Sequence, residues 1–347
     1  MRKLSFALLV LFGGLCLAPD AVGQFNRRSI KKNNKRIATF TGKKHFGKEH
    51  IYSGFGFSVS ALNYYGDLSP LPSKFSTDIS FTKPAFGVSF FHRFGPRYTL
   101  IGQFMYGTLK GSDAESAKSQ DPNNGRHNRN LSFRNHIKEL SVVAVFDLFE
   151  NEGAYISRVK WTPYAFIGFA AFLHNPQAIA PKTYLDGSPD PKAGQWVDLQ
   201  PLGTEGQHSN LKPGDVNYGI KPYSLLQVAI PFGVGARFRL NEVLDLWADV
   251  GFRYTFTDYL DDVSKNYVDL SLIKDPLAQA LSYRTNELLG APTTVGYNYG
   301  SFSTWPGAGS EAKDNVRGHS GSKDIYMVTS LKITYILGAT FHRAKFR

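Results

Sequence analysis

The sequence predicts an all-β chain: an eight-stranded antiparallel up-and-down transmembrane β-barrel with long extracellular loops and one helix in the last loop. Three observations carry that prediction. Eight runs show period-2 hydrophobicity, near residues 51–62, 84–94, 98–110, 136–149, 159–173, 224–240, 244–257 and 324–338. The connections between them alternate long, short, long, short, long, short, long. A barrel of the outer membrane has that rhythm, because one end carries tight turns and the other long loops. The clearest runs are 14 to 17 residues long, whereas soluble strands average about 5–6 and a tilted membrane strand needs about 9–11. An even strand count with long first and last connections places both termini on the periplasmic side.

The chain starts with a processing signal. Arg2 and Lys3 form a charged region, Leu4 to Leu17 an apolar one, and Ala21-Val22-Gly23 a small-residue site, so cleavage is expected after Gly23. The one cysteine, Cys16, follows Leu15 and leaves with the signal; a lipoprotein site wants a small residue there. The mature chain then has neither disulfides nor a thiol nucleophile. Residues 24–50 follow as a basic periplasmic arm, with Arg27, Arg28, Lys31, Lys32, Lys35 and Arg36 among its cations and Glu49 its one acid. In an exported chain whose net charge is +12 before cleavage, such an arm is read as a contact for an acidic periplasmic partner or anionic headgroups, not for nucleic acid. A solvated spacer is the plain alternative.

Residues 51–347 form the barrel. In the run 224–240, Leu226, Val228, Ile230, Phe232, Val234, Ala236 and Phe238 share one face; Gln227, Gly233, Gly235, Arg237 and Arg239 share the other. The run 244–257 repeats this, with Leu244 to Phe256 outward and Asp245, Trp247, Asp249, Gly251, Arg253 and Thr255 inward. Asn241-Glu242-Val243 between them is a hairpin turn. The inward face thus mixes Arg237, Arg239 and Arg253 with Asp245 and Asp249, and opposite charges on these adjacent strands are expected to pair in a narrow lumen. The first run alternates Phe55, Phe57 and Val59 with Gly54, Ser58 and Ser60. In 136–149, Val143 and Val145 interrupt a polar face holding Glu139, Ser141 and Asp147. Run 159–173 is apolar on both faces. Tyr52, Tyr64, Tyr65, Tyr98, Trp161, Tyr164 and Tyr335 stand near strand ends, where aromatic girdles belong. Eight strands enclose a space that side chains fill, so a diffusion pore is not expected.

The loop at 174–223 holds seven prolines and is expected to lack regular structure. In the last loop, Asp275 as N-cap, Pro276 at the first helical position and Gly290 as a stop predict a helix running to Leu289, docked through Leu277, Leu281 and Leu288. It either caps the barrel mouth or meets a partner. Asp258, Asp261 and Asp262 read as solvated charges rather than a calcium loop. There is no HExxH, GxSxG or phosphate loop, and the nine histidines show no paired ligand spacing. No catalytic, metal or cofactor residue is assigned. A Ser, a His and an acid brought together from separate strands, as in a lipid-modifying enzyme, stays open.

Two segments carry a resemblance. Asn63-Tyr64-Tyr65-Gly66-Asp67-Leu68 is one; Arg253 to Ser264, reading RYTFTDYLDDVS and followed by Tyr267, is the other. They resemble the PorG-like outer-membrane barrels of Bacteroidota. The resemblance implies a non-enzymatic component of the type IX protein secretion machinery, bound to a periplasmic ring lipoprotein and its partner, and in some members supporting gliding. The chain departs from common outer-membrane practice at its end, where Phe346 is penultimate and Arg347 terminal. The alternative is a stand-alone small barrel with a structural, adhesive or small-ligand role.

Overall fold

A computed structural model describes residues 50–68, 81–116, 126, 129–153, 155–287, 316–321 and 323–337. Signal, basic arm and C-terminal residues lie outside them. Eight long strands form the wall: β1 (Tyr52–Tyr65), β2 (Lys83–Arg93), β3 (Tyr98–Ser112), β4 (Ser132–Asp147), β5 (Trp161–Leu173), β8 (Leu226–Arg239), β9 (Leu244–Thr255) and β10 (Ile325–Leu337). A short hairpin, β6 (Pro176–Ile179) and β7 (Trp196–Asp198), stands in the third long loop. Each wall strand pairs antiparallel with its neighbour, and β10 pairs with β1, from Tyr65 opposite Ile325 to Ser53 opposite Leu337. The barrel is therefore closed and has no open edge.

Alternation decides which side chains meet lipid. Phe169 is 78% exposed, Val234 64% and Leu140 61%. Exposed Phe55 and Phe90 pack across β1 and β2 with ring centroids 5.3 Å apart. In water such a wall would leave far more apolar surface bare than the few hundred Å² a soluble monomer tolerates; in hydrocarbon it is solvated. Five residues around the wall, Phe55, Phe86, Phe104, Ile167 and Phe232, each come from a different strand and all point outward.

The double-apolar run of β5 now has a reason. Ile167, Phe169 and Leu173 face lipid, while Tyr164, Phe166, Ala170 and Phe172 fill the lumen. Val143 and Val145 of β4 also point inward and pack with Tyr164, Phe166 and Trp247. Space for the Phe166 ring comes from Gly233 and Gly251, which face each other on β8 and β9. A Cβ on Gly251 would sit 2.6 Å from the ring.

Some expectations need correcting. Of the aromatic residues near strand ends, Tyr98 and Tyr335 are exposed on the outer wall, but Tyr52, Tyr64 and Tyr164 are buried. Their positions share the parity of inward residues, and parity outranks nearness to a strand end. The third loop is not irregular throughout, since it holds the β6–β7 hairpin, and β6 extends the wall by pairing Gln177 with Arg134 of β4. The last-loop helix spans only Pro276–Ser282; Asp275 caps it as expected, accepting from Leu277 N–H at 2.9 Å. Leu288 and Gly290 lie outside the described residues.

Candidate functional site

The lumen is packed in layers. At the short-turn end, Asp147 of β4 accepts from Arg93 at 2.6 Å and from Arg237 at 2.8 Å. The Arg237 guanidinium also stacks on Trp247, 4.9 Å from the ring centroid. Arg158, from the β4–β5 turn, binds Asp245 at 2.6 Å and donates to the carbonyls of Asn241 and Leu244 at 2.9 and 3.1 Å. It ties that turn across the barrel's end. The sequence expectation that the β8 and β9 charges pair with each other fails. Arg237 reaches Asp147, Arg253 reaches Glu139 at 3.4 Å, and Asp249 accepts from the Tyr164 hydroxyl at 2.9 Å. Directly opposed residues on β8 and β9 share a register, but inward side chains of a narrow barrel reach across it. Glu139 and Asp147 were visible on the polar face of β4; nothing in the sequence said which arginine each would meet.

In mid-lumen a cavity of about 20 Å³ is lined by Gln103, Ser141, Asp249, Arg253, Ser330 and Lys332, among others. That holds about one water molecule. Above it, Glu139 accepts from Tyr326 at 2.6 Å, and an apolar cluster of Leu62, Met105, Phe133, Ile137 and Phe172 closes the upper lumen. Loop residues Leu68, Leu131, Leu260 and Val263 belong to the same cluster. Loop residues thus enter the mouth and pack into the cluster that fills the upper lumen.

A buried polar knot fixes this cap. Asp258, Asp261 and Asp262, expected as solvated charges, are only 4%, 1% and 0% exposed. The chain turns back into the mouth at Asp262, whose φ of +66° is unusual for a non-glycine residue. Asp262 accepts from Thr204 at 2.5 Å and from Tyr223 at 2.7 Å, with Arg317 at 3.7 Å. Asp258 accepts from Ser264 at 2.6 Å. Arg317 also meets Glu205 at 3.0 Å, and Glu205 accepts from the backbone N–H groups of Ser264 and Lys265. Arg129 joins the second loop to the first and last: it pairs with Asp113 at 2.7 Å and donates to the carbonyls of Asp67 and Arg317. Burial pushes the Asp258 and Asp262 carboxyls up to about 6, for Asp262 in spite of the Arg317 guanidinium beside it.

At the centre, the Tyr64 hydroxyl lies 2.7 Å from Asp261 and 2.8 Å from Asp324. A hydroxyl has one hydrogen. It donates to one carboxylate, and the second contact needs a protonated carboxyl that donates back. Burial first, and then neighbouring carboxylates (Asp324 and Asp67 for Asp261, Asp258 and Asp67 for Asp324), push both well above the usual carboxylate range. The shared hydroxyl and the raised carboxyls both favour a proton held in the knot.

The sequence-predicted partner residues Arg27, Arg28, Lys31, Lys32, Lys35 and Arg36 lie outside the described residues. Ser53 and His92 meet at 2.8 Å, on the outer wall at the short-turn end. They are directly opposed in the β1–β2 ladder, and no described carboxylate orients the imidazole, so the contact reads as a cross-strand pair. Among the described residues no group of three or more acidic, His or Cys side chains is arranged for a metal.

A closed eight-stranded wall that is apolar outside and packed inside defines a transmembrane β-barrel of the outer-membrane class. The family model described as a domain of unknown function (DUF6089) matches residues 45–190, from before β1 to just past β6. No curated protein matches the chain. Among solved structures, the chain is similar to the attachment invasion locus protein Ail of Yersinia pestis, at 8% identity over 83% of this chain and 99% of that one, with a TM-score of 0.34. A major outer membrane protein from Thermus thermophilus is similar at 12% identity, over 82% and 99%, with a TM-score of 0.33. Neisserial surface protein A is similar at 8% identity, over 82% and 96%, with a TM-score of 0.31.

Proposed function

We propose that this barrel is a non-enzymatic outer-membrane component of the type IX protein secretion machinery. It holds a periplasmic ring lipoprotein and its partner at the membrane, with termini periplasmic and long loops outside. One observation supports this most. The two segments that carry the PorG-like resemblance, 63–68 and 253–264, fold against each other. Tyr64 binds Asp261, and Leu68 packs in one cluster with Leu260 and Val263. Two chance matches have no reason to touch; two parts of a shared architecture do. The filled lumen favours anchoring over conduction. Arg27, Arg28, Lys31, Lys32, Lys35 and Arg36 supply the charge for an acidic face of the ring.

The test is a crosslinked pull-down of the tagged protein from outer membranes, read by mass spectrometry. Co-recovery of a periplasmic ring lipoprotein is expected, and its loss on deleting 26–48. Recovery of the ring without residues 26–48 would remove the arm from the proposal. The barrel alone would favour the second reading, a stand-alone structural or adhesive barrel. That reading draws on the built-up cap, where Ile179, Trp196 and Tyr218 are exposed.

A further inference from the structure

The outer wall is not uniform. On β1, β2, β5, β8, β9 and β10 the outward positions carry no Lys or Arg. On β3 and β4 they do, and only towards the long-loop end. Outward along β4 run Phe146, Ala144, Val142 and Leu140, then Lys138, His136 and Arg134; outward along β3 run Phe104 and Tyr106, then Thr108 and Lys110. Register sets Tyr106 beside Lys138, Thr108 beside His136 and Lys110 beside Arg134. The apolar stretch from Leu148 to Leu140 covers about 20 Å along the membrane normal at a strand tilt of 35–45°, close to the height of a barrel's apolar band. The cations begin where that band ends.

Their surroundings leave them facing outward. Lys138 is exposed and has no ion pair among the described residues. Arg134 lies flat on Trp196 of the β6–β7 hairpin, 3.9 Å from the ring centroid, with its Nε on Gln177 at 2.9 Å. Neither contact neutralises it. His136 Nδ1 lies 3.0 Å from Thr108 Oγ1. Among the described residues Lys110 is the one member with an acid, Glu115 at 2.6 Å. The hairpin stands beside this strip and gives it one wall, topped by an aromatic ring.

We propose that this strip binds the phosphate groups of outer-leaflet glycolipid, with Arg134 and Lys138 as the principal contacts and Tyr106 at the acyl boundary. Free phosphate would not need the adjoining apolar band; a lipid whose phosphates sit directly above its acyl chains matches both halves. The assignment rests on the outward-facing loops of the proposed function. That orientation is checked separately by labelling Lys192→Cys with an impermeant maleimide on intact cells, so its failure is distinguishable from failure of the site.

The experiment is a titration of the full-length protein in detergent with diphosphoryl lipid A, dephosphorylated lipid A, phosphatidylglycerol and inorganic phosphate, by native mass spectrometry. Diphosphoryl lipid A is expected to bind best. Binding should fall about fivefold in Lys138→Gln and about thirtyfold in Arg134→Gln/Lys138→Gln, the weakening expected for losing one and two cations near an anionic surface. Lys192→Gln should bind as the parent does, and a heat-modifiable gel shift confirms that each variant is folded. Equal binding of dephosphorylated lipid A, or an undiminished double variant, overturns the proposal. Equal binding of phosphatidylglycerol or inorganic phosphate overturns its commitment to the glycolipid.

Discussion

Arg317 is the residue on which the cap depends most. It is fully enclosed and faces two buried acids, Glu205 and Asp262. Removing one partner of a buried ionic group strands the other, at about 3–5 kcal/mol. Arg317→Met is therefore expected to loosen the last loop while the wall stays folded. Limited proteolysis should show new cleavage within 256–287 with the heat-modifiable shift retained. The cap also sets a pH response. Asp67, Asp258, Asp261, Asp262 and Asp324 are all raised, first by burial. A carboxyl whose folded value lies above its unfolded one stabilises the fold most below about pH 4, and loses that contribution as pH rises through its folded value, about 6 for Asp258 and Asp262. His174 opposes this. Burial lowers it to about 4, so protonation of the unfolded chain below about pH 6.5 favours opening. Five carboxyls against one imidazole give a cap that tightens on mild acidification. After correction for the intrinsic pH dependence of amide exchange, protection of 256–287 should be higher at pH 5 than at pH 7.5; lower protection at pH 5 would contradict it. None of this was legible in the sequence. Asp261 meets a tyrosine 197 residues away, and a local reading sees only acids where a strand leaves the membrane.

At the scale of elements the sequence is a good guide where period 2 governs and a poor one where tertiary contacts do. The strands β8 (Leu226–Arg239) and β9 (Leu244–Thr255) fall inside the predicted runs 224–240 and 244–257, because lipid enforces an apolar residue at every second position. The helix predicted to reach Leu289 ends at Ser282. Tyr283 leaves the helix in an extended conformation and packs edge-on against Tyr267, so burial of one aromatic ring outweighs helix propensity. The two predicted anchors that are described hold: Leu277 and Leu281 pack with Ala178, Ala180 and Leu199 of the third loop. The helix is thus a strut between the last and third loops, the capping reading rather than a free face for a partner. Its N-cap carries much of that order in a seven-residue helix. Asp275→Ala should cost about 1 kcal/mol, seen as faster exchange across 276–282 together with 178–199.

For the whole molecule, the consequence of filling is that the barrel works through its surfaces. Charges inside it cross-link the wall: Arg93, Asp147 and Arg237 at one end, Glu139, Arg253 and Tyr326 below the mouth. The sequence showed that eight strands leave no room for a wide channel, and showed which inward residues are polar. The depth to which loop residues enter the mouth was hidden, since Leu68, Leu131, Leu260 and Val263 look like ordinary loop positions until the fold gathers them. Among the described residues, side chains and loops fill the barrel, which leaves the cap and the outer wall as its free surfaces; the proposed function adds the basic arm. The measurement that tests this most directly is single-channel recording of the full-length protein in planar bilayers. The account predicts a silent membrane, with at most brief, rare flickers, at any protein density that keeps the bilayer intact. Steady ohmic openings of the native chain would contradict the sealed lumen, and with it the case for an anchoring role.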